Sequence, residues 1–548
     1  MPNITFSFED LCSLVGKKLG DDELIRLLDC AKAEIEAKLS SEITVKFNDT
    51  NQPYLWSVEG LARLFRASLG KSKGVPALKL EKSDLVVNVD KSVASVRPFI
   101  ACFLAKGQKL SEYQLAQLIQ LQEKLAENFG KRRSKVGVGL FPTKGMQFPI
   151  AYKAVAPDAV KFVPLGMREE ISLREVLAKH QKGKEYAGLL KGASKYPVVL
   201  SGKGEVLTFP PIINSEKTGR VRAGDDEVFC EVTGTDETAV NLVSTIFAYT
   251  LADRGFKIFP AKVKYGARSV QTPMVAPHEF KFDLNRIVLL LGIDLAEKEV
   301  KSLLERAQFN YLGKGKVQIP AYRKDVMHEV DVVEDVGIMY GFGNFVDLPL
   351  KSYTTGGLKE NTAFIDLQRM LWIGFGYQEA LSPFLSNKEL LYNKMNVQDS
   401  GTVEIENYSS MTYSCVRTWI LPVLMEILSK NKHVDYPQKL MEQGLVTIRG
   451  KELRDEEHLA AVSAHSSASF TEMKQAIESV LRSSGLQGEF EEFDHGSFIP
   501  GRAAKVLVDK VQVGFLGEIH PAVLEKFGVI VPVAACELNL SELFAKKK

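Results

Sequence analysis

The sequence predicts an α+β protein built from several domains. The chain has 548 residues, more than one hydrophobic core usually serves. Strand-like β-branched runs and amphipathic helical patterns alternate along it, punctuated by Gly and Pro. No internal repeat or low-complexity tract is visible.

Residues 1–90 mix helical and extended patterns and predict an N-terminal α/β domain. SVEGLARLFRASLG, from Ser57, places Val58, Leu61, Leu64 and Phe65 on one helical stripe. LVVNVDKSVASVRPFIACFLAKG, from Leu85, reads as strands broken at Gly107. KLSEYQLAQLIQLQEKLAENFGKRRSK predicts a long helix stopping near Gly130, then a basic tip of Lys131, Arg132, Arg133 and Lys135. Cations suit a helix C-terminus, so the tip reads as a solvated loop, with RNA contact as the second reading.

From 136 to 270 strands and helices alternate. Ser172 and Glu175 have capping-box spacing and start a helix. YPVVLSGKGEVLTFPPIINSE reads as a hairpin about Gly202–Gly204, then a Pro-Pro turn. EVFCEVTGTDETAVNLVSTIFAYTLADRG reads as a strand, a small polar turn and a buried helix. SVQTPMVAPHEF reads as a linker into a compact unit ending near Leu350, and a mixed strand-and-helix domain fills the remainder.

Composition excludes several classes. It is 45% hydrophobic and 25% charged, ordinary for a soluble globular protein. A net charge of +2 gives no global basic field, though local patches can bind nucleic acid. Cys12, Cys30, Cys102, Cys230, Cys415 and Cys536 are scattered without a C-x-x-C pair. That argues against a zinc module or disulfide framework and fits a reducing cytosol. The first residues carry Glu9 and Asp10 and do not read as a signal peptide. No apolar run approaches the ~20 residues of a membrane span, so a cytoplasmic protein without membrane contact is expected. There is no phosphate loop, no G-x-S-x-G elbow and no H-E-x-x-H. The eight histidines show no metal-ligand spacing.

YRKDVMHEVDVVEDVGIMYGF, from Tyr322 to Phe342, crowds Asp325, Glu329, Asp331, Glu334 and Asp335 together, with no Lys or Arg from Val326 onward. Met327 to Tyr340 predicts a helix packing through Val330, Val333, Gly337 and Tyr340. Asp331, Glu334 and Asp335 share one face, where like charges cost a few tenths of a kcal/mol per pair. With Asp325 they offer four hard donors without compensating bases, which suits Mg²⁺. Two other readings stay open: acid favoured by the helix dipole, and a surface for a basic partner. Asn214, Ser215, Glu216, Thr233, Thr235 and Asp236 form a second polar set at a turn and a strand end. Such groups can position a water or hold a ligand, and can equally be turn and cap residues.

SVEGLAR, SVRPFIA, FVPLG, SLREVLAKHQKGKEYAGLL, FPPIINSE, VTGTDETAVNL, PAYRKDVMHEVDVVEDVGIMYGF, VRTWILPVL and GEIHP resemble, in order, the landmarks of the phenylalanyl-tRNA synthetase β subunit of archaeal and eukaryotic type. The resemblance covers nearly the whole chain. In NQPYLWSVEG, Gln52 and Tyr54 stand where the family pattern has a basic and an acidic residue, which questions any salt bridge made there.

The resemblance implies four domains. They are an N-terminal domain at 1–90, a tRNA-editing domain at 91–272, a small helix-rich metal-bearing module at 275–350, and a catalytically silent class II synthetase-like antiparallel-sheet domain at 355–548. It implies an α partner that charges tRNA(Phe) with phenylalanine using ATP, in an α2β2 tetramer. The silence has support in the residues. The last 200 contain no Gly-rich segment ending in Glu-Arg, and Arg417, in VRTWILP, lacks the surroundings of an ATP-gripping arginine.

The resemblance further implies Mg²⁺ on Asp325, Asp331, Glu334 and Asp335, completed at the α–β boundary, with Glu329 a solvated neighbour. It also implies hydrolysis of mischarged Tyr-tRNA(Phe), since an apolar pocket rejects an added hydroxyl by only about a hundredfold. The matching positions are Ser215, Glu231 and Thr233, with Asn214, Glu216 and Asp236 close by. The chain shows no Cys/His or Ser/His/Asp arrangement, which agrees with a positioned water as nucleophile. A non-catalytic RNA-binding scaffold derived from the same chain is the alternative. An independent Mg²⁺ phosphotransferase is disfavoured by the missing phosphate loop.

Overall fold

In a computed structural model, every residue except Met1, Ser40, Lys351 and Lys548 is described. The chain divides into two compact units, Met1–Leu348 and Pro349–Lys548.

The first unit begins with a three-stranded antiparallel sheet in which Glu42–Phe47 lies between Asn3–Ser7 and Ala33–Leu39. Ile4 and Phe6 alternate inward on the first strand. Helix Phe8–Val15 is capped by Ser7 and stops at Gly16, whose φ of 71° suits glycine. Helix Val58–Ser68 is buried all round except at Arg66, where the sequence pattern predicted a single buried stripe. Gly60 makes this possible, because a Cβ there would come within 2.0 Å of the Tyr54 carbonyl oxygen.

A ten-stranded mixed sheet follows. Its central strand Leu85–Val89 runs parallel to Lys257–Tyr265 on one side and Ile150–Val155 on the other. The strand thus belongs to this sheet, although residues 1–90 were expected to form the first domain. Phe99–Lys106, Glu227–Gly234 and Val136–Pro142 continue the sheet in antiparallel order. Helix Glu237–Asp253, N-capped by Asp236, packs on Phe99–Lys106 and Glu227–Gly234.

Helix Glu112–Lys124 opens with a Ser111/Gln114 capping box and widens into a π-turn at Leu125–Phe129. Lys131, Arg132 and Arg133 follow, all with left-handed φ (49°, 51° and 65°). The solvated-loop reading fails for Arg133, whose guanidinium donates to the carbonyls of Pro211 and Ile212, each at 3.1 Å.

The segment 278–340 forms a three-stranded sheet with Lys316–Ile319 at its centre. It carries helices Asn285–Leu291, Glu297–Arg306 and Glu329–Tyr340. The last of these buries Val332, Val333, Val336, Gly337 and Met339. Val330, expected in its packing row, is 44% exposed, because the buried arc lies one residue further round.

Buried charges join these layers. Arg254 reaches Asp10 (2.6 and 2.7 Å) and the buried Glu59 (2.6 Å), while Asp253 accepts from Arg63 (2.8 Å) and Arg66 (2.9 Å).

The second unit is a seven-stranded sheet, antiparallel except where the short strand Gln378–Glu379 joins Gln438–Arg449. Helices Leu421–Lys430 and Pro521–Phe527 belong to one apolar core, and Glu360–Gly374, Phe470–Ser483 and Leu540–Lys547 to another. Arg417 is buried, pairing with Glu442 (2.5 Å) and donating to Ser382 Oγ (3.0 Å) and the Leu445 carbonyl (2.8 Å). Among the described residues no helix is long and apolar enough to cross a membrane, and all six cysteines are free.

Arg254→Ala leaves the Glu59 and Asp10 carboxylates without their partner. A loss of about 3–5 kcal/mol is expected from urea unfolding of the first unit.

Candidate functional site

The floor of the candidate site is set by strand register. Glu231 pairs with Gly139 and Thr233 with Gly137. Glu231 and Thr233, two residues apart, point to one face of the sheet. The glycines opposite leave space above them. A Cβ at Gly139 would come within 2.7 Å of Glu231 Oε2, and one at Gly137 within 3.2 Å of an Arg97 guanidinium nitrogen. Over this floor lies a cavity of about 170 Å³, walled by Pro210, Pro211, Ile212 and Asn214, by Gln122 and Ala126, and by Arg133 and Lys182. A wider cleft of about 730 Å³ shares Gln122, Leu165 and Asn214 with it and runs past Ile119 to Arg220 and Arg222.

Glu231 is 2% exposed, and its Oε1 has no hydrogen-bond partner among the described residues. Burial pushes its pKa up to about 7, against the opposing pull of the Thr233 hydroxyl and the Arg97 charge. Thr233 Oγ1 accepts from Arg97 Nε at 3.1 Å. Burial pushes Arg97 down to about 10. The Arg133 guanidinium stacks 4.4 Å from the Tyr186 ring centroid. Its Nε lies 3.4 Å from Glu127 Oε1, an ion pair not aligned as a hydrogen bond.

Of the six expected pocket residues, Asn214, Glu231 and Thr233 line the cavity. The other three do not. Ser215 is buried, and its amide donates to the Leu207 carbonyl. Glu216 accepts from the Gly166 amide and pairs with Arg220. Asp236 caps helix Glu237–Asp253 and pairs with Lys135. The turn-and-cap reading therefore holds for Glu216 and Asp236. Sequence reasoning missed Gly137, Gly139, Arg97 and Arg133. Its one available signal was the alternating glycines of VGVGLF, which empty one face of a strand.

The acidic stretch is not free of bases. Buried Arg323, two residues before Asp325, holds Asp325 (2.8 Å) and Asp335 (2.7 Å). Gln52 donates to Asp325 at 3.2 Å, and Tyr54 lies 4.8 Å from the Tyr322 ring, so the two departing positions pack onto this same cluster. Burial pushes Asp335 up to about 6 even beside Arg323. Asp331 accepts from the amides of Met327 (2.8 Å) and His328 (2.7 Å) at the helix start. Glu334 is exposed and pairs with Lys32 at 2.7 Å. Glu329, expected to be solvated, pairs with Arg286 at 2.7 Å. Among the described residues no group of three or more His, Cys, Asp and Glu is arranged to hold a metal ion. As arranged, Asp325 and Asp335 fit a buried ion-pair cluster. Asp331 and Glu334, one turn apart and facing solvent, fit a hydrated Mg²⁺ ion, which needs only one or two carboxylates.

Comparison with known proteins agrees with this architecture. Residues 280–342 match the model described as the tRNA synthetase B5 domain, and residues 346–540 the phenylalanyl tRNA synthetase beta chain CLM domain. These matches define a subunit of an aminoacyl-tRNA synthetase. The phenylalanine–tRNA ligase beta subunit of Thermococcus onnurineus is 41% identical over 99% of both chains. That of Pyrococcus abyssi is 42% identical over 99% of this chain and 100% of its own. The chain belongs to the family of phenylalanine–tRNA ligase beta subunits. A crystal structure of an N-terminal fragment of the Pyrococcus horikoshii beta subunit is 39% identical, with a TM-score of 0.60, covering 62% of this chain and all of the fragment.

The folded pKa of Glu231 lies above the ordinary 4.5. Its contribution to stability is therefore full below about pH 4.5 and lost as pH rises through about 7. Glu231→Gln is expected to match the unmodified protein near pH 4.5 and to exceed it by roughly 3 kcal/mol at about pH 8, read by urea unfolding at both pH values.

Proposed function

We propose that the cavity above Glu231 and Thr233 proofreads, hydrolysing tyrosine from mischarged tRNA(Phe), while a partner α subunit charges tRNA(Phe) with phenylalanine using ATP. The single observation that carries this reading is the unpartnered Oε1 of Glu231 inside a 170 Å³ space. A phenolic hydroxyl can satisfy that oxygen and a phenyl ring cannot. Leaving a buried polar group unpaired costs about 1–3 kcal/mol, so tyrosine is favoured by roughly 10- to 100-fold.

With no activated side-chain nucleophile, water opens the ester. It adds to the aminoacyl carbonyl, the ribose oxygen leaves with a proton, and free tyrosine and tRNA result. The neighbouring ribose hydroxyl assists. The cleft leading to Arg220 and Arg222 supports entry of the tRNA 3′ end, with the guanidinium groups on phosphate. The segment 91–272 then acts as the editing domain.

The second unit is read as a class II-like core without catalytic groups, since Arg417 is committed to Glu442. Its helix Glu360–Gly374 exposes Leu367, Met370 and Ile373 at a spacing of three, followed by exposed Phe375 and by Leu381 at 92% exposure. This apolar face supports docking of the α subunit, and two such pairs give the α2β2 tetramer in the cytoplasm. Mg²⁺ in this reading sits on Asp331 and Glu334, shared with α, and supplies charge neutralisation between the chains.

Thr233→Trp fills the cavity. It is expected to slow release of tyrosine from pre-charged tRNA(Phe) by at least about tenfold while phenylalanine charging continues. An unchanged release rate removes the cavity from the reaction. Met370→Asp should weaken association with α on gel filtration. Asp331→Ala with Glu334→Ala should abolish any dependence of that association on Mg²⁺. Association that ignores EDTA in the unmodified complex would exclude the shared ion.

A further inference from the structure

Arg97 is not among the residues that line the cavity, yet it holds two of its walls. It is 3% exposed, and its guanidinium makes four hydrogen bonds, all to neutral acceptors. Nε donates to Thr233 Oγ1 (3.1 Å) and one terminal nitrogen to the Thr233 carbonyl (2.6 Å). The other terminal nitrogen reaches the carbonyls of Arg133 (3.1 Å) and Ser134 (3.3 Å). Its own carbonyl accepts from the Tyr152 hydroxyl at 2.6 Å. A buried cation satisfied only by neutral groups is costly.

What this cation grips is itself costly. Lys131, Arg132 and Arg133 are consecutive left-handed residues, each unfavourable by roughly 1–2 kcal/mol without glycine. That turn delivers Arg133 to the cavity wall. On the other side, Nε–H occupies a lone pair of Thr233 Oγ1, which leaves the Thr233 proton free for Glu231 along the same strand face.

We propose that Arg97 is the positioning residue of the cavity: it aims the Thr233 hydroxyl at Glu231 and pins the left-handed turn that carries Arg133. The consequence for hydrolysis rests on the proofreading reading; the hold on the turn does not. The groups facing Glu231 are Arg97, Tyr152, Cys102 and Cys230, and of these only Arg97 is charged at neutral pH. Arg133, Lys182 and Glu123 line the same cavity.

The test uses the full chain with its cognate α subunit. Tyr-tRNA hydrolysis is followed from about pH 5.5 to 9, with deuterium uptake of residues 131–135 measured in parallel. Arg97→Lys keeps the charge but loses the fork, so the rate should fall at least about tenfold with its pH midpoint unmoved. Arg97→Gln should show the same fall with the midpoint raised by about half a unit or more. Both should increase deuterium uptake in the turn. Thr233→Val, which leaves the carbonyl grips intact, should slow hydrolysis without that increase.

Rates for both Arg97 variants equal to the unmodified enzyme, or unchanged uptake in the turn, overturn the proposal. If the Arg97 variants do not fold, Gly137→Ala answers instead, because its methyl would crowd the guanidinium at 3.2 Å. A Gly137→Ala enzyme with undiminished hydrolysis then overturns it. If the unmodified enzyme leaves Tyr-tRNA intact, the proofreading reading falls, and uptake in the turn alone decides the role of Arg97.

Discussion

Asp253 and Arg254 hold the first unit together. They sit side by side at the end of helix Glu237–Asp253, with opposite charges, and collect four partners. Asp253 takes Arg63 and Arg66. Arg254 takes Asp10 and Glu59. The helix packs on the large sheet, so these pairs tie the N-terminal layers to it. They also allow helix Val58–Ser68 to be buried on nearly every side, since Glu59 and Arg63 enter the interior already neutralised. The other end of helix Glu237–Asp253 begins two residues after Gly234, the last residue of the strand bearing Glu231 and Thr233. The anchoring pairs and the cavity floor therefore share one continuous stretch of chain.

The cavity concentrates what a purely stable fold would avoid. Two glycines replace packing side chains, a carboxylate oxygen is left without a partner, and three residues adopt left-handed backbone. A buried arginine makes only neutral contacts. Each is unfavourable alone, and together they define a small polar space inside a well-packed sheet. Strain and unsatisfied groups gathered at one place are the physical mark of a site maintained for binding. The apolar surroundings matter too, since they raise the pKa of Glu231 into the neutral range.

The acidic stretch shows why local sequence misleads about charge. From Val326 to Phe342 there is no base, and the carboxylates read as unpaired. The fold supplies Arg323 from the preceding strand end, Arg286 from a neighbouring helix, and Lys32 from some three hundred residues away. Asp325 and Asp335 thus become the two arms of one buried ion-pair cluster, and only Asp331 and Glu334 keep a face to solvent. Gln52 and Tyr54, which looked like isolated departures, pack against that cluster.

The sequence by itself determined the α+β class, the capping-box starts at Ser111 and Ser172, and the buried helix after VTGTDE. These depend on hydrophobic period and on caps within three residues, which are local. It also marked Asn214, Glu231 and Thr233 through the ordered landmarks. Tertiary structure alone decided the rest. It placed Leu85–Val89 in the large sheet, because strand membership is fixed by pairing partners distant in sequence. It separated Ser215, Glu216 and Asp236 from the cavity, because side-chain direction reverses with each residue and a cap bond reorients the turn. It brought Gly137, Gly139, Arg97 and Arg133 to Glu231 and Thr233, because register between strands and the reach of a buried guanidinium are set by packing across the sheet.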